Sequence, residues 1–177
     1  MKRVIITGSP RTAGRSAALA EQLFEACIAD CPNDEVYLVP VATLNILGCK
    51  GCNACKPAPH DCKIADDMQD VYPLIQEADE LIVVSPVYFA SAPSQLKALL
   101  DRFQPYYWAG VRKSSHKTPA TLHVVGEGGD PHGFGSLVGT VCSALAVAGF
   151  KLERVLDWVG KINSGGEIVK DATVRKF

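Results

Sequence analysis

The chain has 177 residues, 47% apolar and 21% charged, with a formal net charge of −1. That length fits one domain with a full hydrophobic core, and the composition excludes a disordered or fibrous chain. Near-neutral charge implies no general affinity for nucleic acid or for an anionic membrane surface.

The apolar runs are far too short to span a bilayer. Met1-Lys-Arg runs straight into a predicted strand, leaving no room for a signal peptide. The expectation is a soluble, cytoplasmic protein built as a single domain over residues 1–177, with no membrane or nucleic-acid partner. Seven cysteines is an odd count, and four of them are bunched between residues 49 and 62. Metal or redox chemistry therefore suits them better than a disulfide framework.

Residues 3–8 read as a buried strand, because Val4, Ile5 and Ile6 are continuous rather than alternating. The first helix spans residues 15–30, with Ala20, Leu23, Phe24 and Cys27 as its inner stripe. Pro32-Asn-Asp34 is a turn, and Val36–Val39 is the second strand. Residues 43–65 form a long irregular segment that holds the cysteine cluster. Asp66 and Asp67 can cap a helix striped by Val71, Leu74, Ile75 and Ala78. Leu81–Val84 is fully apolar and so predicted central. A loop over residues 86–92 leads into a helix striped by Leu96, Leu99, Leu100 and Phe103. Residues 104–118 read as an aromatic, basic connector, in which Tyr106, Tyr107 and Trp108 suit a subunit interface or a substrate wall. Leu122–Val125 is the fourth strand. Val138, Val141, Cys142 and Leu145 stripe the last helix, which Gly149 closes. Residues 151–158 are polar enough to be an edge strand.

Strands alternating with helices predict a parallel sheet covered on both faces. Right-handed crossovers bring the loops after strands one, three and four to one sheet edge. Ligands bind outside the strand C-termini in such sheets. The first of these loops, Gly8-Ser-Pro-Arg-Thr-Ala-Gly-Arg-Ser16, opens a helix. Backbone N–H groups at a helix start lack partners and carry the positive end of its dipole, which suits a phosphate. Ser9, Thr12 and Ser16 add hydroxyls, and Arg11 and Arg15 add charge. The loop is not a Walker A motif, since five residues separate Gly8 from Gly14 and Arg15 stands where lysine belongs. It also lacks the second glycine of a dinucleotide fingerprint. A single terminal phosphate, as in FMN, fits better. The second loop offers Pro86, Val87, Tyr88 and Phe89, apolar and aromatic groups that suit a flat ligand. The third, Gly126-Glu-Gly-Gly-Asp130, lets backbone approach a ligand closely, above all at Gly126 and Gly128.

Gly8-Ser-Pro-Arg-x-x-Gly-x-Ser16, Ser85-Pro-x-Tyr-Phe89 and Gln95-Leu-Lys-x-Leu-Leu-Asp-Arg102 resemble the flavodoxin-like NAD(P)H-dependent FMN reductase superfamily. The segment Gly48–Met68 resembles its iron–sulfur flavoproteins and their cluster-free relatives. The resemblance implies a flavodoxin-like three-layer sandwich with a five-stranded parallel sheet in the order 2-1-3-4-5. It also implies bound FMN, NAD(P)H as electron donor, a small electron acceptor (quinone, flavin or nitro compound), and a homodimer or homotetramer. By that match Ser9, Arg11, Gly14 and Ser16 hold the FMN phosphate, and Pro86, Val87, Tyr88 and Phe89 contact the ring. Arg15 stands where the family often has asparagine.

Cys49-x-x-Cys52-x-x-Cys55 continues to Cys62. This spacing suits a [4Fe–4S] cluster. Zinc with His60 as a spare ligand, or a loop that only shapes the flavin site, are the alternatives. Lys50, Lys56 and Lys63 would offset the negative charge of a thiolate-bound cluster. With a cluster, the expected partner is of the ferredoxin type. Cys27 and Cys142 read as small hydrophobes on helix stripes.

Overall fold

The computed structural model describes residues 1–176. Its strands are β1 (Lys2–Thr7), β2 (Glu35–Pro40), β3 (Glu80–Pro86), β4 (Thr118–Val125), β5 (Phe150–Asp157) and β6 (Thr173–Lys176). Its helices are α1 (Arg15–Asp30), α2 (Met68–Glu77), α3 (Ser94–Asp101), α4 (Gln104–Ala109) and α5 (Gly135–Val147). The sheet order is β2-β1-β3-β4-β5-β6. The first five strands are parallel and β6 is antiparallel to β5. The predicted order 2-1-3-4-5 is therefore present, extended by a sixth strand. β5 is not the edge that its polarity suggested, because Leu156 pairs with Val174 of β6. No helix among the described residues is long and apolar enough to cross a membrane.

Crossover handedness explains the layers. The step from β1 to β2 runs one way along the sheet and every later parallel step runs the other, so α1 lies on one face and α2–α5 on the opposite one. Successive side chains of a strand point to opposite faces. Val4 and Ile6 of β1 join Leu81 and Val83 of β3 in the larger core under α2, α3, α4 and α5. Ile5, with Ile82 and Val84, faces Leu19 and Ala20 of α1. Each fully buried side chain of this kind contributes roughly 1.5–3 kcal/mol. The predicted α1 stripe faces this core: Ala20 is buried and Leu23, Phe24 and Cys27 pack half-buried against the same cluster, and the stripe extends back to buried Ser16 and Leu19. Cys142 of α5 is half-buried too.

The segment after β5 covers part of the α1 face. Ile162 is buried there and Trp158 packs against the same cluster. Gln22 Nε2 donates to the Gly166 carbonyl at 3.1 Å. A Cβ at Gly166 would lie 2.7 Å from the Ala18 Cβ, and its φ is +89°, so glycine is required there twice over.

Trp158 Nε1 donates to His123 Nδ1 at 3.0 Å, with the two ring planes 12° apart. His123 is 5% exposed. Burial, aided by Arg154, pushes its pKa down to about 4. The folded state therefore holds a neutral imidazole while the unfolded chain protonates near pH 6.5. His123 leaves stability intact above about pH 6.5 and costs roughly 3 kcal/mol as pH falls to 4. In His123→Leu, denaturant midpoints measured from pH 7 to 4 should fall less steeply than in the parent; equal slopes would refute the assignment.

Candidate functional site

Three loops meet at the C-terminal ends of β1, β3 and β4 and enclose a cleft of about 580 Å³. That lies within the range of about 300–1,000 Å³ seen for small-molecule sites. Ser9, Arg11, Gly14, Arg15, Ser16, Pro86, Val87, Tyr88, Gly126 and Gly128 all line it. Phe134, Asp157 and Val159 also line it. Sequence reasoning missed these three, because they arrive from the start of α5 and the end of β5 with no motif around them.

The first loop is positioned by packing. Gly8 N donates to the Val84 carbonyl at 2.7 Å, which ties the loop to β3. A Cβ on Gly8 would lie 2.6 Å from Leu96 Cδ2, so nothing larger fits between β1 and α3. Ser9 Oγ accepts the Arg11 N–H at 3.1 Å. Gly14 takes φ 135° and α1 begins with no side-chain cap. The first-turn N–H groups thus lack side-chain acceptors, while the Ser9 and Ser16 hydroxyls lie buried among them. Arg11 is exposed at the cleft, whereas Thr12 does not line it. Arg15 is engaged elsewhere: Nε donates to the Ile162 and Asn163 carbonyls at 2.9 and 3.1 Å, and Nη1 pairs with Glu127 at 2.7 Å. It bolts the first loop to the third and to the tail.

The second loop differs from expectation at one residue. Tyr88 and Ser91 exchange both backbone hydrogen bonds at 2.9 Å around Phe89 (φ 51°) and Ala90 (φ 61°). This tight turn with two left-handed residues matches type I′, which favours Asn and Gly. It turns Phe89 outward to 98% exposure, away from the cleft lining that holds Pro86, Val87 and Tyr88. In the third loop, Gly128 (φ 95°) and Gly129 (φ 87°) need their glycines.

The cysteine loop forms a second site. Cys49, Cys52, Cys55 and Cys62 all line one cavity of about 320 Å³, with Lys50, Lys63, Arg102, Gln104, Pro105 and Trp108. Cys49 and Cys52 are exposed and Cys55 is buried. Burial pushes the Cys55 thiol up, and the charges of the other three thiols act in the same direction. Among the described residues, no three His, Cys, Asp or Glu side chains are gathered closely enough to hold a single metal ion. A tetrahedral zinc would need its sulfurs about 3.8 Å apart. The four cysteines line one cavity without converging on a point. His60 does not line it; its ring meets Tyr106 edge-on, with centroids 6.2 Å apart.

Arg102 closes the base of this loop. Its side chain and that of Asp66 are each 1% exposed and pair at 2.6 Å. Nη1 also donates to the Leu47 carbonyl at 2.9 Å and Nη2 to the Ile64 carbonyl at 3.3 Å, so both ends of the loop are held. Asp66 accepts the Leu47 and Met68 amides. Burial alone would raise its carboxyl, but Arg102 and those amides hold it below the usual carboxylate range. Asp67 provides no helix cap; it accepts the Asn45 amide at 2.7 Å. The predicted connector contains α4, which buries Tyr106, brings Trp108 to the cysteine cavity and leaves Tyr107 exposed.

A parallel sheet ordered 2-1-3-4-5, with an uncapped helix start in a cleft at its carboxyl edge, defines a flavodoxin-like protein. The profile of the family described as NADPH-dependent FMN reductase matches residues 1–147, and the chain belongs to that family. It is 36% identical over 108 residues to an iron-sulfur flavoprotein of Archaeoglobus fulgidus, covering 60% of this chain and 47% of that one. An iron-sulfur flavoprotein of Methanocaldococcus jannaschii is 36% identical over 105 residues, covering 59% and 53%. The chain thus spans about half the length of these relatives. Among solved structures, an azoreductase from Bacillus anthracis superposes with a TM-score of 0.66 at 17% identity, covering 90% of this chain and 88% of that one. An NADH:FMN oxidoreductase in its apo form superposes with a TM-score of 0.59 at 23% identity, covering 88% and 73%. These last two likenesses concern the fold.

Proposed function

We propose that this protein is an FMN-dependent oxidoreductase that carries electrons from NAD(P)H to a small acceptor such as a quinone, a flavin or a nitro compound. The observation that carries this reading is the cleft. One end has an uncapped helix start with two buried hydroxyls, and its walls bear apolar Val87, Tyr88 and Val159. That donor set fits a phosphate joined to a flat ring. When bound, FMN would supply the redox chemistry, taking up and giving out electrons at its ring. The chain's own residues bind and orient. Ser9, Arg11, Ser16 and the first-turn amides of α1 hold the phosphate, and Gly14 lets it approach. Pro86, Val87 and Tyr88 form one wall for the ring, and the Gly126–Gly129 backbone edges another. Arg15 positions rather than binds. A homodimer or homotetramer is part of this reading, supported by the 98% exposed apolar ring of Phe89. So is a cytoplasmic setting.

Titration of the apoprotein with FMN, followed by flavin fluorescence, tests this. Arg11→Ala removes one charge-assisted bond of about 1.5–3 kcal/mol, so FMN affinity should fall roughly 10- to 100-fold with an unchanged melting point. Unchanged affinity would remove Arg11 from the phosphate site, and no FMN binding by the parent would end the reading.

A second reading is favoured by one specific observation: all four clustered cysteines line the same cavity. In it the protein is an iron–sulfur flavoprotein carrier. Cys49, Cys52, Cys55 and Cys62 would hold a [4Fe–4S] cluster, which would supply one-electron chemistry toward a ferredoxin-type protein. The names of the archaeal relatives support this. Anaerobic reconstitution should then give about four irons per chain, and iron below one per chain would discard the cluster.

A further inference from the structure

The charge of this chain is unevenly distributed. Residues 48–64 and 104–117 carry Lys50, Lys56, Lys63, Arg112, Lys113 and Lys117 against a lone acid, Asp61. Six basic and one acidic residue leave this part at +5. The remaining twelve Lys and Arg face eighteen Asp and Glu, leaving the rest of the chain at −6. The two segments form one face. Both line the cysteine cavity, and Lys56 Nζ sits 5.2 Å over the Trp108 ring. Asp61 is neutralised by Lys63. Lys117 Nζ donates to the Arg112 carbonyl at 2.6 Å, adding its charge to the turn that carries Arg112 and Lys113. Lys50, Lys56, Arg112 and Lys113 are exposed, and among the described residues none has an acidic partner. Tyr107, 56% exposed, adds apolar contact area beside them.

We propose that this face is the docking surface for a small acidic redox protein. A cationic rim around an aromatic and apolar centre is the anatomy of an electrostatically steered protein interface. Clustered unpaired cations repel one another, and a complementary acidic surface relieves that repulsion. Lys50 and Lys63 line the cavity and Lys56 sits over Trp108 at its wall, while Val111, Ser114 and His116, beside Arg112, Lys113 and Lys117, line an adjoining depression with His60. Cations gathered in a patch do not match the regular phosphate spacing of a nucleic acid. The exposed thiols of Cys49 and Cys52 line the cysteine cavity, so a partner seated here comes within reach of whatever those thiols hold. The redox class of the partner rests on the iron–sulfur reading; the acidity of its surface rests on the charge pattern alone.

The test uses the full, FMN-loaded chain and an acidic two-cluster ferredoxin as probe, with affinity measured by calorimetry at 20 and 300 mM NaCl. Screening shrinks from about 20 Å to about 6 Å over that range, so binding should weaken at least ten-fold. Lys113→Glu should weaken binding at least five-fold at 20 mM. Lys170→Glu, the same charge reversal on the tail, should change it less than two-fold. Both positions are exposed, and unchanged melting points show that the fold survives. Equal effects of the two variants, salt-insensitive binding or no binding would overturn the proposal. So would tighter Lys113-dependent binding of a 20-base-pair duplex or of phosphatidylserine vesicles. Self-association abolished by Lys113→Glu would instead make the face a contact between copies of this chain, and would overturn it too. Iron analysis separates the two ideas. Iron-free protein that still binds through Lys113 sinks the cluster and keeps the surface, whereas iron-loaded protein that ignores the probe does the reverse.

Discussion

Arg102→Met is expected to cost about 3–5 kcal/mol of stability and to release the cysteine loop. The substitution keeps much of the apolar stem but leaves the Asp66 carboxylate buried without its partner at 2.6 Å. It also strips a donor from the carbonyls of Leu47 and Ile64, the residues that bracket all four cysteines of the cavity. Arg102→Lys should recover little, since an ammonium cannot reach three acceptors in the plane of a guanidinium fork. Arg102→Met combined with Asp66→Asn removes both charges and should be less damaging than the single change, by at least about 1 kcal/mol. Urea denaturation gives the stability, and thiol-labelling rates at Cys55 report the loop. Equal stability of the single and double variants would show that the pair is not the fastening.

That fastening illustrates which parts of the molecule can be read from the chain. β1, α1 and the glycine-rich turns are local: continuous Val4-Ile-Ile6, a 3.6-residue stripe and small residues at strand ends speak for themselves. The parallel order follows from alternation and handedness. Arg102 was legible as part of a motif but not as a buried ion, because Asp66 lies 36 positions away and nothing near either residue signals the other. α4 was hidden because Pro105 and three consecutive aromatics resemble a connector, yet proline is tolerated in a first helical turn. β6 has four residues, too few for an alternating pattern to emerge. Phe89 was assigned to the ring wall because composition does not show direction, and a type I′ turn built without glycine is not the turn that residues such as Phe and Ala predict.

Ser16→Asp should move binding and stability in ways that no purely structural role of the loop would produce. Position 16 lies in the first turn of α1, where an added carboxylate gains from the dipole by about 0.3–1 kcal/mol. That gain opposes the cost of a carboxylate at a position only 4% exposed, so the apoprotein should stay folded with a lowered melting point. A phosphate in the same place would meet a like charge. At 4 Å and an effective dielectric constant near 20 that repulsion is about 4 kcal/mol, so FMN affinity should drop on the order of 1,000-fold. Riboflavin, which has no phosphate, should lose far less. Equal losses for FMN and riboflavin would place the phosphate elsewhere.

The tail behind β5 gives the cleft a hinge-like wall. Asp157 and Val159 face the cleft, while the chain a few residues on is held by Arg15, by Gln22 and by the Gly166–Ala18 contact, which joins positions 148 apart. Little apolar surface backs these links beyond Ile162 and Trp158. Such a segment opens as a separate cooperative unit, at a free energy well below that of global unfolding. Amides of Asn163, Gly166 and Val169 should then exchange with solvent long before those of β1 and β3, and occupancy of the cleft should slow them. Release of the tail frees Arg15 as well, so the openness of the cleft is a population set at the far end of the chain.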